Sequence, residues 1–348
     1  MTPTPVLETY WRFAAERQAI YFRRCANEPG PWTSDPILQT YRFTNVYRAT
    51  DRVSQHLIRD VQYGPGRSQE PRELFFRTLL FKIFNRIDTW QAIEGAIGPV
   101  TAERADLEKM SAVLDGLMAK GQRIYSAAYI MPSPKLGYAR KHANHLALIA
   151  RMMDDRLPER IAQAPTLATV YEMLLRYPGI GPFLAFQYAI DLNYSALLNF
   201  DENSFVVAGP GALDGIAKCF SDFSPLTPEE VIHVVTDDQA SAFGRLGIEF
   251  QTLFGRPLQP IDCQNLFCEI SKYARVAHPE VIGTSDRKRI KQTYRRSTNP
   301  SFAPFLPPRW RLKVTLPDTA QRRDSLPLNY TSTAIHGRAG APLFDAIA

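Results

Sequence analysis

A mainly α fold is expected for this chain of 348 residues, and three observations point to it. Apolar residues recur at spacings of three and four along most of the sequence, strand-like alternation is scarce, and there is no βαβ rhythm. Nor does the chain hold a glycine-rich nucleotide loop of the P-loop or Rossmann kind. With 45% apolar and 11% aromatic residues it can fill a real core, which excludes collagenous, mucin-like and wholly disordered classes.

Taken in order, residues 5 to 27 carry Trp11, Ala14, Ala15 and Ala19 at helical spacing, and the helix is expected to stop before Pro29-Gly30-Pro31. Further helices are expected over Val46 to Leu57, Pro71 to Asn85 and Ala102 to Lys120. Pro71 suits a first helical position, where its missing N–H is no loss. Between Gly121 and Pro134 the pattern leaves a short strand and an irregular connection equally open. Helices resume over Lys141 to Met153, Thr166 to Arg176, Gly181 to Leu192, part of Ser204 to Phe220, Pro228 to Phe254 and Asp262 to Ala277. His142 and His145, an i, i+3 pair without a third ligand, read as packed rather than metal-binding.

This pattern divides the chain into an N-terminal helix and linker (1–35), a helical body (36–280, with a hairpin at 170–192) and a basic, proline-rich tail (281–348). The chain has 41 Lys and Arg against 35 Asp and Glu, a net charge of +6. Residues 285 to 313 alone hold nine basic residues and one acid, so the body is close to neutral and any diffuse attraction to a polyanion belongs to the tail. Phe302, Phe305 and Trp310 are the tail residues expected to dock. Cys25, Cys219, Cys263 and Cys268 form no CxxC pair and are too scattered for a disulfide scaffold. With no secretory h-region and no stretch of roughly 18 apolar residues, a cytoplasmic protein away from membranes is expected.

The segment most informative about function runs from Thr169 to Phe220. Its centre, LLRYPGIGPFLA, reads as a helix, a tight turn at Pro178-Gly179-Ile180-Gly181 and a second helix opening at Pro182. Gly179 and Gly181 allow close backbone approach, and free N–H groups at the second helix's start make an anion site of the kind that grips a DNA phosphate without reading sequence. A plain helix–helix corner would use the same glycines.

The hairpin resembles that of the helix-hairpin-helix superfamily of DNA glycosylases, in which a catalytic aspartate follows at a fixed distance. Asp201 lies twenty residues past Gly181, where that motif places its aspartate. The resemblance implies two helical lobes around a cleft, with Asp201 as the catalytic carboxylate beside Glu202, stabilising an oxocarbenium-like sugar and orienting water. Members that also cut the strand carry a lysine two residues past the second hairpin glycine. Phe183 stands there, so the resemblance implies a monofunctional enzyme that leaves an abasic site. The superfamily's four-cysteine iron–sulfur loop is absent.

Other segments resemble a narrower family, the helical domain of 5-hydroxymethyluracil DNA kinases, also called the alpha-glutamyl/putrescinyl thymine pyrophosphorylase group. The matching pieces are Tyr41 to Arg48 with Asp51-Arg52, Phe81-Lys82-Ile83-Phe84-Asn85, Val206 to Ala212, and Asp262 to Glu269 with Lys272-Tyr273. No P-loop kinase domain accompanies them, so the sequence reads as the helical module alone. The resemblance implies a flipped, modified pyrimidine as substrate. Phe43 and Tyr47 are then candidates to stack on it, Asn45 and Asn85 to face its edge, and Arg48 and Arg52 to bind phosphate. Asp262, Asn265 and Glu269 share a helix face that would line the same pocket or simply pair with nearby groups. Core packing is the alternative for the aromatics.

The expected activity is therefore excision of a hypermodified pyrimidine from phage-type DNA by a monomeric glycosylase without cofactor, in defence against such phages. Two alternatives stand beside it. One is a transferase in which an amine displaces pyrophosphate from the 5-methylene of uracil, with Arg48, Arg52 and Arg86 neutralising the leaving group. The other is a DNA-binding module without activity.

Overall fold

The structure is a computed structural model that describes residues 1–103, 106–295 and 303–316. It is mainly helical, as expected: the described residues form fourteen α-helices and a two-stranded antiparallel sheet, β1 (Thr2–Pro3) with β2 (Phe220–Asp222). The helices are α1 (Pro5–Cys25), α2 (Pro36–Thr40), α3 (Arg52–His56), α4 (Pro71–Phe84), α5 (Ile87–Ile97), α6 (Leu107–Ala119) and α7 (Lys141–Asp154). They continue with α8 (Leu157–Ala162), α9 (Leu167–Leu175), α10 (Pro182–Asn193), α11 (Pro210–Cys219), α12 (Pro228–Asp237), α13 (Gln239–Arg245) and α14 (Pro260–Ala277).

Helix α1 starts where its sequence says it should: Thr4 accepts from the N–H of Val6 and Pro5 occupies the first turn. It is no appendage. Tyr10 packs on Phe267, Trp11 on Phe243 and Phe13 on Tyr273, with ring centroids 4.7, 4.9 and 5.2 Å apart, so α1 is wrapped by α13 and α14. The stretch after it is also tied in, because Asp35 caps α2 and accepts from the Tyr273 hydroxyl at 2.6 Å.

Helices α4 and α10 are buried nearly all round and lie side by side in the middle of the molecule. A helix so placed is normally apolar. Here α4 carries Arg77 and Lys82, and α10 carries Gln187 and Asp191, all at 2% exposure or less. Helices α11 and α14 pack closely. A Cβ on Gly215 would overlap the Phe267 carbonyl, and one on Gly211 would overlap the Cys268 sulfur, so these glycines set the interhelix distance. Asp214, between them in the packed face, binds Lys218 at 3.1 Å and the Ser271 hydroxyl.

The structure departs from the sequence expectation in several places. Val46 to Leu57 is a 3-10 turn at 48–50, a break at Asp51, α3, and then a π turn over 57–62. Polar side chains interrupt it, since Asp51 accepts from the Asn45 N–H and Thr50 donates to the Tyr47 carbonyl. Helix α5 was not foreseen; Asn85, left-handed at φ 50°, ends α4, and the chain restarts at Ile87. The stretch 228–254 is split into α12, α13 and a loop in which Phe250 folds back to stack on Phe243 at 4.4 Å. Of the two forms open to residues 121–134, the structure has the irregular one.

The basic segment is docked at two places. Residues 292–294 pair with 40–42, and Phe305 exchanges backbone bonds with the Gln55 amide at 2.8 and 3.2 Å while its ring meets Tyr63. Phe302 and residues 317–348 lie outside the described residues. Among the described residues no helix is long and apolar enough to cross a membrane.

Candidate functional site

Three of the segments singled out in the sequence converge on one buried charged centre. Arg48 enters from the 3-10 turn, Lys82 and Asn85 from the end of α4, and Asp191 with Gln187 from α10. Arg48 Nη1 lies 2.7 Å from Asp191 Oδ1, and its Nε donates to Gln187 Oε1 at 2.8 Å. Lys82 Nζ is 3.3 Å from Asp191 Oδ2 and donates to Asn85 Oδ1 at 2.9 Å. Two cations thus share one carboxylate out of contact with water. Burial lowers Lys82 to about 8, against the pull of Asp191, so it remains mostly charged at neutral pH. For Arg48 burial is the largest single effect, but Asp191 together with Tyr129 and Tyr194 outweighs it and holds the guanidinium charged. A desolvated centre with surplus positive charge favours an anionic group.

An irregular loop closes one side. Tyr129, left-handed at φ 55°, turns its ring inward against Lys82, whose Nζ is 4.6 Å from the ring centre, and stacks on Phe183 at 5.6 Å with the planes 9° apart. The Phe183 ring in turn seats against Gly209, where any Cβ would overlap it. The close approach expected of the 209–211 turn is therefore made to Phe183 and to α14.

The remaining expected site residues are placed as follows. Asn45 is engaged at both ends of its amide, its oxygen by Arg17 (2.7 Å) and its nitrogen by the Thr50 carbonyl (2.9 Å). Phe43 packs with Phe13 and Tyr273, and Tyr47 is buried with its hydroxyl on the Arg256 carbonyl; both are core. Arg48 is too deeply buried to meet a duplex phosphate, whereas Arg52 is exposed. Asp262 accepts from the N–H groups of Arg48 (3.0 Å) and Gln259 (3.1 Å), and Glu269 accepts from Thr44 N–H (3.1 Å). Burial raises Asp262 to about 7 in spite of those donors. The acidic face of α14 holds the backbone of the first motif, while Asn265 is half-buried beside it. Gly179 is left-handed and lies under Pro132 and Pro134, so the hairpin's open face is at the exposed Gly181. His142 and His145 are buried, His145 between the Tyr125 hydroxyl and the Pro132 carbonyl.

Asp201 and Glu202 sit apart, in an open groove of about 270 Å³ that Arg256, Arg309 and Trp310 also line. Asp201 is exposed and caps the 202–204 turn through the Asn203 N–H. Glu202 is buried between Arg256 (3.2 Å) and Arg309 (3.0 Å) and accepts from the Trp310 indole at 3.1 Å. It anchors the 303–316 segment. Glu202→Gln is expected to loosen that segment and speed tryptic cleavage at Arg309 and Arg311 about tenfold, the factor for ~1.4 kcal/mol of lost docking. Unchanged cleavage would exclude the anchoring role.

Sequence reasoning did not single out Lys82, Tyr129, Gln187 or Asp191 as site residues. Lys82 stood inside a matched motif, and Asp191, a charge in an otherwise apolar hairpin helix, was the other available signal.

The comparisons with known proteins bear on the expected reaction. No solved structure matches the chain. A 5-hmdU DNA kinase of Bacillus phage SP10 is 29% identical over 284 aligned residues, covering 76% of this chain and 44% of that protein. The chain thus spans less than half the length of that relative. The expectation of a base-excising hydrolase is corrected by these matches, because a kinase transfers a phosphoryl group and breaks no N-glycosyl bond. The role given to Asp201 in sugar-cation stabilisation falls with it; Asp201 is exposed at the open groove and caps the 202–204 turn. The family model for the 5-hmdU DNA kinase helical domain matches residues 4–283, and the chain belongs to that family.

Proposed function

We propose that this chain binds DNA carrying 5-hydroxymethyl-2′-deoxyuridine, or a phosphorylated form of it, and serves group transfer at the 5-methylene position of the base. The observation that carries this reading is the Arg48–Asp191–Lys82 centre, with its surplus positive charge, inside the region that matches the family. Such a centre suits a 5-methylene oxygen that bears, or is about to bear, phosphate. The exposed hairpin at Gly181 and the exposed Arg52 are the proposed contacts to the DNA backbone. The chain holds no glycine-rich phosphate loop, so what it supplies is the DNA side of the reaction.

A second reading is favoured by the same surplus charge: an amine attacks the 5-methylene carbon, the C–N bond forms, and pyrophosphate leaves with the C–O electrons. Fluorescence anisotropy with otherwise identical oligonucleotides tests the shared core of both readings. Binding to the 5-hydroxymethyluracil strand is expected to be at least about tenfold tighter than to the thymine strand, ~1.4 kcal/mol. Equal affinities would refute it. Mass spectrometry of nucleosides after incubation with ATP, or with pyrophosphorylated DNA and an amine, separates the two chemistries.

A further inference from the structure

Tyr129 is packed as a ligand would be. Its ring is parallel to Phe183 at 5.6 Å, with Lys82 Nζ 4.6 Å from its centre. Arg48 lies near its hydroxyl, and burial raises the phenol to about 12. The residue itself belongs to no helix or strand. It sits at φ 55° among the exposed Ala127, Ala128 and Ile130, the last 74% exposed.

The ends of this short arc are held by its neighbours, and its middle is held by the Tyr129 ring and by the Ala128 N–H on Ser126 Oγ at 3.1 Å. On one side the Ser126 N–H donates to the Phe84 carbonyl at 2.9 Å and Tyr125 stacks on Phe84. On the other, Met131 is buried against the Tyr188 hydroxyl and the Pro132 carbonyl is held by His145. Four residues between two anchors can swing outward without disturbing either.

Two buried polar atoms around the stack have no hydrogen-bond partner: Gln187 Nε2, a donor, and Gln264 Oε1, an acceptor. Both residues are at 1% exposure or less. Gln187 lies one turn beyond Phe183 on α10, and the Gln264 amide borders the Gly209 backbone on which Phe183 rests. Leaving a buried amide atom unpaired costs about 1–3 kcal/mol. A pyrimidine edge, with carbonyl acceptors beside an N–H donor, supplies both complements.

We infer that Tyr129 occupies the seat of a flipped-out 5-substituted pyrimidine, which displaces it, stacks on Phe183, pairs with Gln187 and Gln264, and presents its 5-substituent to Lys82 and Arg48. The inference rests on the proposed function and adds the position of the base and the residue that must leave. Extrusion of a base costs a few kcal/mol, and an aromatic seat with unpaired edge partners offsets part of that. Tyr129 in place lowers the population of the competent state, so apparent affinity is reduced by that fraction.

Anisotropy with single-stranded oligonucleotides bearing 5-hydroxymethyluracil or thymine tests it. Tyr129→Ala is expected to tighten binding of both strands about fivefold, Tyr129→Phe to tighten it less, and Phe183→Ala to weaken it about tenfold. A strand with a fluorescent pyrimidine analogue at the same position is expected to be quenched more strongly by Tyr129→Ala than by the native protein. Weaker or unchanged binding in both Tyr129 variants, with thermal midpoints near the native value, would overturn the inference. If Tyr129→Ala unfolds, Tyr129→Phe alone decides by the same criterion. Loss of the preference for 5-hydroxymethyluracil in every protein, with the Tyr129 effect intact, would instead count against the proposed function.

Discussion

Asp191→Asn is expected to destabilise the protein by about 3–5 kcal/mol, because it leaves two cations facing each other without a counter-charge in a site closed to water. Arg48 and Lys82 are at 1% and 2% exposure, so solvent cannot screen them. For a chain of this size the thermal midpoint is expected to fall by roughly 5 °C. The pH dependence identifies the cause. In the native protein Lys82 titrates near 8, below its ordinary value of 10.5. Between those values the unfolded chain binds more protons, so the stability contribution of this group rises as pH rises through that window. Removing the carboxylate lowers the folded-state value further, and the variant should therefore begin to recover at lower pH than the native protein does. Adding Lys82→Met to Asp191→Asn should restore much of the loss. A variant whose midpoint and pH profile match the native protein would show that Asp191 is not the counter-charge.

Gly215→Val is expected to abolish folding or to cost more than about 4 kcal/mol, since the new side chain meets the backbone carbonyl of Phe267, which cannot rotate aside. The clash would force α11 away from α14 and pull Asp214 from Lys218 and Ser271. Gly116→Ala is the control. That glycine is inside α6 with open space where a Cβ would go, so the substitution should stabilise by about 0.5–1 kcal/mol through helix propensity. Soluble expression and thermal melts of the two variants check the contrast; equal behaviour would remove Gly215 from its spacing role.

Much of the helical framework was legible in the sequence, because amphipathic spacing and proline at first-turn positions report local structure. Pro71, Pro182 and Pro228 each open a helix as read. The charged centre was only half legible. Arg48 and Asn85 stood in matched motifs, but Asp191 lies on a helix valued for its N-terminal hairpin, and its partners are more than a hundred residues away. Tyr129 was invisible for another reason: nothing in a periodicity analysis says which way a side chain in an irregular loop points. The aromatics of the first motif are core because Tyr273 and Phe13 surround Phe43, a tertiary fact. Asn45 could not be assigned from sequence, since an amide has the same hydrogen-bonding groups whether it meets a ligand or, as here, Arg17 and the Thr50 carbonyl.

Asp262 and Glu269 bond none of the charged groups of the centre, yet they accept from the backbone of Arg48 and Thr44 across 214 and 225 residues of chain. That separation has a temporal meaning. During synthesis the first motif is complete long before the helix that holds its backbone has left the ribosome. Until α14 docks, Arg48 lacks the support that sets its approach to Asp191, and closing so long a loop is among the slower steps available to a helical protein. The centre is thus completed by the last helix of the body, and a nascent chain cut short before residue 260 would carry Arg48, Lys82 and Asp191 without the means to align them.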